Sequence, residues 1–272
     1  ALSPVVVGSA AALAEGGFDF LVGLAAIAVA LLLQIGANLA NDVADFRSGA
    51  DTDQRLGPTR VTQSGLLSPR QVEVATAVTL ALAAIPGLYL VWQGGWLFAV
   101  AGLLAIGAAV AYTAGPAYGY VGLGDIAVFL FFGPVAVAGT AYLMMHQLTA
   151  LAVLSSVPMG CLITGILVVN NLRDIDTDQV AGKMTLAVRL GRGGARAEYA
   201  LLLAISYLIP VVVWWSGLAS FRVLLTFVTV PLAAMLLQRV WHEEGRALNP
   251  VLAGTARLCL FFAVVYAVGI VL

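Results

Sequence analysis

Apolar runs of about twenty residues follow one another along the whole chain, and no other feature constrains it as much. A run such as "LVGLAAIAVALLLQIGA" is long enough to cross a bilayer as a helix. Hydrophobic residues make up 61% of the chain and charged residues only 10%, where a soluble domain carries about a quarter charged. The expected fold is an all-α membrane protein: about nine transmembrane helices in a bundle around a central cavity, in two related halves. Spans are expected near 1–14, 19–44, 71–92, 95–114, 121–144, 148–172, 195–215, 220–240 and 251–271, joined by turn signals such as "EGGFD", "QGG", "HQLT" and "HEEGRALNP". Residues 1–272 read as a single domain. The chain opens Ala-Leu-Ser-Pro and its first span is short, so a native start further upstream is expected. Cys161 and Cys259 sit inside apolar runs and read as inert core thiols.

The net charge of −1 conceals segregation. Of fourteen acids, seven fall in two stretches, Asp42 to Asp53 and Asp174 to Asp178. Arg47, Arg55, Arg60 and Arg70 accompany the first; Arg173, Lys183, Arg189, Arg192 and Arg196 surround the second. The polar loops carrying both stretches follow even-numbered spans and so share a side. Their basic residues place that side in the cytoplasm, as expected for a multi-pass protein of a bacterial inner membrane. The two stretches also echo each other. Asn41 and Asp45, four apart, close the second span; Asn170 and Asp174, four apart, close the sixth, followed by Asp178.

Residues four apart share a helix face. Asn38, Asp42 and Asp45 form one stripe, Asn41 and Asp45 an adjacent one, and Asn170, Asp174 and Asp178 a third. Like charges so placed repel unless a cation lies between them. Carboxylates and carboxamides are hard oxygen donors, which suit Mg²⁺, an ion that keeps waters and bridges to substrate phosphates. Neither cluster contains His or Cys, which argues against zinc. A solvated, acid-capped helix end accounts for Asp53 and Asp176, but poorly for Asp42, Asp45, Asp174 and Asp178, which abut apolar helices. Arg60, Arg173 and Lys183 are candidates to hold phosphate oxygens. Acids for a metal and cations for phosphate beside a greasy cavity describe a site for a lipid diphosphate.

The stretches "QIGANLANDVADFRSGADTDQRLGPTRVTQSG", "AYTAGPAYGYVGLGDIAVFLFFGPVAVAGT", "ILVVNNLRDIDTDQVAGKMTLAVRLG" and "LNPVLAGTARL" together resemble the UbiA superfamily of intramembrane prenyltransferases. Within it they are most similar to the branch acting on 1,4-dihydroxy-2-naphthoate in menaquinone biosynthesis. Against the superfamily pattern N-D-x-x-D-x-x-x-D, Asn41, Asp42 and Asp45 match, Gly49 holds the last position, and Asp51 is the expected substitute. The resemblance implies Mg²⁺ held by Asn41, Asp45 and Asp51 on one side and Asp174 and Asp178 on the other. It implies a prenyl diphosphate donor, an aromatic acceptor, loss of CO₂ and a demethylmenaquinone product. Asp45, Asp174, Asp178 and Lys183 are then the expected catalytic set. Asn38, Asp42, Arg60, Tyr112, Asn170, Asn171, Arg173 and Lys183 are expected to contact donor or acceptor. A lipid bilayer is the expected surrounding, with no nucleic-acid partner.

Tyr112 is a candidate to shield a carbocation with its ring face; Tyr118, Phe129, Phe131, Phe132 and Tyr142 read more readily as packing. Asp125 is expected to cap the fifth span, and Asn249 with Pro250 to start the last. Two other readings stay open. One keeps the chemistry and changes the acceptor to 4-hydroxybenzoate or homogentisate, or phytylates the naphthoate. The other is a secondary transporter, which predicts acids at mid-membrane rather than at one rim.

Overall fold

The computed structural model describes residues 1–47, 49, 56–112 and 117–272. In chain order its helices are α1 (Leu2–Ala14), α2 (Phe20–Arg47), α3 (Pro69–Gly94), α4 (Trp96–Ala111), α5 (Gly124–Leu130), α6 (Gly139–Met145), α7 (Ala150–Arg173), α8 (Ile175–Val180), α9 (Leu186–Trp215), α10 (Val230–His242) and α11 (Leu248–Val271). Tight 3₁₀ turns at Tyr118–Val121, Phe221–Thr229 and Gly245–Ala247 precede α5, α10 and α11. No strand occurs among the described residues. Among the described residues seven helical spans are long and apolar enough to cross a membrane, beginning at Phe20, Pro69, Gly124, Ala150, Leu186, Phe221 and Gly245. The other two expected spans form the shorter apolar helices α1 and α4. Seven full-length spans and two short ones therefore stand where nine were expected.

Short polar signals set the helix ends. Ser68 accepts from the Gln71 amide at 3.3 Å while the Gln71 side chain accepts from the Ser68 amide at 2.8 Å, a capping box with Pro69 at the first helical position. Thr149 caps α7 through the Ala152 amide at 3.2 Å. Thr185 caps α9 through Val188. The sixth residue of α9, Gly191, has φ +69° and ψ 175°, outside helical space. A left-handed φ costs a side-chain-bearing residue about 1–2 kcal/mol, so glycine permits the kink, and the expected loop up to residue 194 is partly helical instead. Asp125 does not cap α5: Leu123 occupies that position, and the Asp125 carboxyl is buried in the first turn.

α5 and α6 form one span with a π-helical stretch, Phe131–Ala138, between them. Pro134 inside that stretch has no amide to donate, so the regular ladder cannot run through it. The resulting wider turn carries Phe131, Phe132, Val135 and Ala136 to the wall of a cavity.

The densest packing surrounds α7, which lies against α9, α11, α5 and the π-helical stretch. Buried hydroxyls there pair with each other, Ser155 with Tyr266 at 3.1 Å and Tyr199 with Thr255 at 2.9 Å. Such pairing removes the cost of placing them in an apolar interior. By contrast α4 has no buried residue and α3 has three, Val72, Ala83 and Leu90. The cavity lies between α2, α3 and α4 on one side and α5–α6 and α7 on the other. Exposed aromatic residues, Phe20, Trp92, Trp96, Trp215 and Phe221, sit at the helix ends remote from Asp45 and Asp174. An aromatic band at one interface and basic loops at the other match a multi-pass protein embedded in a bilayer.

Candidate active site

The cavity has a volume of about 780 Å³. One end is polar, and the helix ends reaching it come from both halves of the bundle. α2 contributes Asn38, Asn41 and Asp45; α7 and α8 contribute Asn170, Asn171, Asp174 and Asp178. Arg60, Lys183, Tyr112, Tyr118 and Tyr120 complete this end. Towards the other end the wall is apolar, with Gly102, Phe98 and Leu143 among its residues.

Local geometry explains why these side chains converge. α7 ends at Arg173, and Asp174 takes a non-helical conformation (φ −95°, ψ 6°) before α8 begins. The Asp178 amide nonetheless donates to the Asp174 carbonyl at 2.8 Å, so helical register passes through the break and the expected Asn170, Asp174, Asp178 stripe survives. After α8 the Lys183 amide closes on the Asp178 carbonyl at 2.8 Å, and the Met184 amide donates to the Tyr120 carbonyl at 2.7 Å. These two bonds hold Lys183 so that its ammonium lies 3.3 Å from Asp45 Oδ1 and 4.4 Å from the Tyr120 ring centre. Tyr120 donates its hydroxyl to the same Asp45 oxygen. Arg60 Nη2 lies 3.6 Å from Asp45 Oδ2, and Arg60 Nη1 donates to the Asn38 carbonyl at 3.3 Å.

Two expected substrate contacts occupy other positions. Asp42 does not line the cavity; its carboxylate accepts from the Val61 and Thr62 amides at 3.1 and 3.3 Å. It thereby anchors the turn that starts at Arg60. Arg173 is also outside the cavity lining, and its side chain is only 2% exposed. Its guanidinium forks onto Asp174 at 2.8 and 2.5 Å and reaches Asn170 Oδ1 at 2.9 Å and Asn249 Oδ1 at 3.0 Å. Asp51 lies outside the described residues.

Among the aromatic candidates, Tyr112, Tyr118, Phe131 and Phe132 face the cavity, with Tyr112 and Tyr118 edge to face at 5.4 Å. Phe129 packs against Gly160 of α7, and Tyr142 stacks on Phe98. Sequence reasoning missed Tyr120. The only signal was its place in the quoted stretch "AYTAGPAYGYVGLGD"; its contact with Asp45 spans 75 residues.

Among the described residues no three His, Cys, Asp or Glu side chains close on one point tightly enough to hold a metal alone. Mg²⁺ rarely asks for that, since it is bound through one or two carboxylates with waters and phosphate oxygens. The expected metal-holding residues among those described, Asn41, Asp45, Asp174 and Asp178, line the polar end and offer oxygen donors. Burial pushes the Asp178 carboxyl up to about 7, with Asp174 and Asp45 acting in the same direction and Lys183 and Arg173 against it. Buried carboxylate and carboxamide oxygens at one end of the cavity are the donor chemistry of a hard divalent cation.

The sequence profile of the UbiA prenyltransferase family matches residues 1–264. The chain belongs to the UbiA prenyltransferase family. It is 42% identical over 270 residues to a 1,4-dihydroxy-2-naphthoate octaprenyltransferase of Mycobacterium tuberculosis, an alignment covering 98% of this chain and 91% of that protein. A protein of the same name from Escherichia coli is 38% identical over 283 residues, covering 100% and 91%. Among solved structures, a UbiA homologue from Archaeoglobus fulgidus bound to DMAPP and Mg²⁺ superposes with a TM-score of 0.65 at 14% identity, covering 99% of this chain and 95% of that one. The UbiA fold thus accounts for the helical bundle, and a prenyltransferase is the class of enzyme it builds here.

Proposed function

We propose that this UbiA-family enzyme transfers a polyprenyl group from an allylic prenyl diphosphate to 1,4-dihydroxy-2-naphthoate, with loss of CO₂, giving a demethylmenaquinone. One observation carries this reading: a single cavity joins an acid- and cation-lined end, supplied by both halves of the bundle, to a long apolar remainder. The relatives named above support the acceptor. The whole of 1–272 acts as one domain, with its polar end at the cytoplasmic face of a bacterial inner membrane.

The diphosphate lies at the polar end and the hydrocarbon along the apolar wall. Asn41, Asp45, Asp174 and Asp178 are the residues that would hold Mg²⁺, with Asp51 as a further ligand on the α2 side. Bound there, the ion supplies charge neutralisation for the diphosphate leaving group. Lys183 and Arg60 turn from Asp45 towards phosphate oxygens. Arg173 orients Asp174 and Asn170, and Asp42 orients the Arg60 turn. The bond between the allylic carbon and the diphosphate oxygen breaks, and diphosphate leaves with the electron pair. The ring carbon bearing the naphthoate carboxylate attacks the allylic cation; the carboxylate departs as CO₂ and returns the electron pair to the ring. Tyr112, Tyr120 and Phe131 present ring faces or edges near this end, and the apolar wall keeps out water that would quench the cation.

The test is product identification. Purified protein with a polyprenyl diphosphate and 1,4-dihydroxy-2-naphthoate should release CO₂ and form a prenylated naphthoquinol. EDTA should stop the reaction and Mg²⁺ restore it. Preference for 4-hydroxybenzoate or homogentisate, or turnover indifferent to chelation, would overturn the assignment.

A further inference from the structure

Asn249 stands at the start of α11, an element that carries none of the acidic motif residues. Its side chain nevertheless joins two parts of the site. Asn249 Oδ1 accepts from Arg173 Nη1 at 3.0 Å, and Asn249 Nδ2 donates to the Leu56 carbonyl at 2.9 Å. The next residue is Gly57, and a Cβ placed there would lie 2.9 Å from Arg173 Nη2 and 3.2 Å from Cζ. The 56–57 backbone is therefore laid against the guanidinium of a buried arginine. Three residues further on, Arg60 reaches Asp45.

We infer that Asn249 is a positioning residue for the diphosphate end of the cavity. An arginine held at one side only by Asp174 and Asn170 can pivot about them. Asn249 fixes its remaining edge, and so fixes the angle at which Asp174 is presented. With its amide it ties the segment leading to Arg60 to the same arginine. One carboxamide thus sets the spacing between the α2-side cation and the α7-side carboxylate. Asparagine suits the task because it accepts at one atom and donates at the other, neutral at every pH. Alanine provides neither group, and aspartate keeps only the acceptor. Partners one step removed from a metal or its ligands change affinity or activity by roughly 10–100-fold when lost.

This inference rests on the diphosphate-site reading above, and the experiment separates the two. The probe is inorganic diphosphate with Mg²⁺, read as the rise in melting temperature of the full chain in detergent. The wild-type protein should be stabilised; a wild-type protein indifferent to Mg²⁺-diphosphate defeats the site reading itself. Given that stabilisation, Asn249→Ala should need roughly ten times more Mg²⁺-diphosphate for the same effect. Its KM for the prenyl diphosphate should rise similarly while its KM for the naphthoate stays put. Asn249→Asp should fall between wild type and Asn249→Ala. Gly57→Ala leaves Asn249 intact and presses on the same guanidinium, and should reproduce the phenotype independently. Unchanged Mg²⁺-diphosphate affinity and donor KM in Asn249→Ala and Gly57→Ala, with only a lower melting temperature, would reduce these contacts to fold maintenance and overturn the inference.

Discussion

Asp45 receives side chains from three separate places: Tyr120 from the turn before α5, Lys183 from the loop after α8, and Arg60 from the segment after α2. Its carboxylate is the point on which both halves of the bundle agree. Asp45→Ala removes the carboxylate facing two half-buried cations, Lys183 and Arg60, and is expected to abolish prenyl transfer, measured as product formed per mole of folded protein. Tyr120→Phe is a milder probe. It removes a hydrogen bond to a charged group, worth about 1.5–3 kcal/mol. At 1.36 kcal/mol per decade, kcat/KM should fall by about ten- to a hundredfold. An unaltered kcat/KM in Tyr120→Phe would show that Lys183 and Arg60 suffice to hold Asp45.

Elements divide into those whose ends build the site and those that only frame it. The capping box at Ser68 belongs to the frame. Ser68→Ala should cost about 1 kcal/mol of stability and leave both KM values alone, which a melting curve beside a kinetic assay will show. The same division explains what could be read from the sequence. Asn41, Asp45, Asp174 and Asp178 were legible because their meaning is local: spacing of four on a helix survives into three dimensions, even through the break at Asp174. Tyr120, the bridging role of Asn249 and its bond to Arg173 were not. Their contacts join residues separated by 75, 193 and 76 positions, and no periodicity records such a meeting. Asp125 misled for a related reason. An acid in a first turn resembles a cap, but the chain turns into α5 at Leu123 and carries Asp125 inside. The short first span was legible and matches α1, but the early end of α4 at Ala111 escaped, since hydropathy marks apolar residues and not where a helix stops.

At the scale of the whole molecule, the cavity decides what can be transferred. Gly102 lies on its apolar wall, and a Cβ there meets nothing within 4 Å. Gly102→Phe should therefore be accommodated without backbone strain but fill space meant for hydrocarbon, at a cost of about 1–3 kcal/mol for a long donor. Transfer from a polyprenyl diphosphate should suffer while transfer from dimethylallyl diphosphate is spared; equal loss for both would mean that the tail lies elsewhere. The helix beside that wall, α4, buries none of its residues in the protein. One flank of the reaction chamber is thus a single helix thick, with lipid directly behind it. Encounter with the donor then takes place within a sheet of lipid and not in a volume of water. Turnover should follow the mole fraction of donor in the vesicle, falling when inert phospholipid is added even though every bulk concentration is held constant.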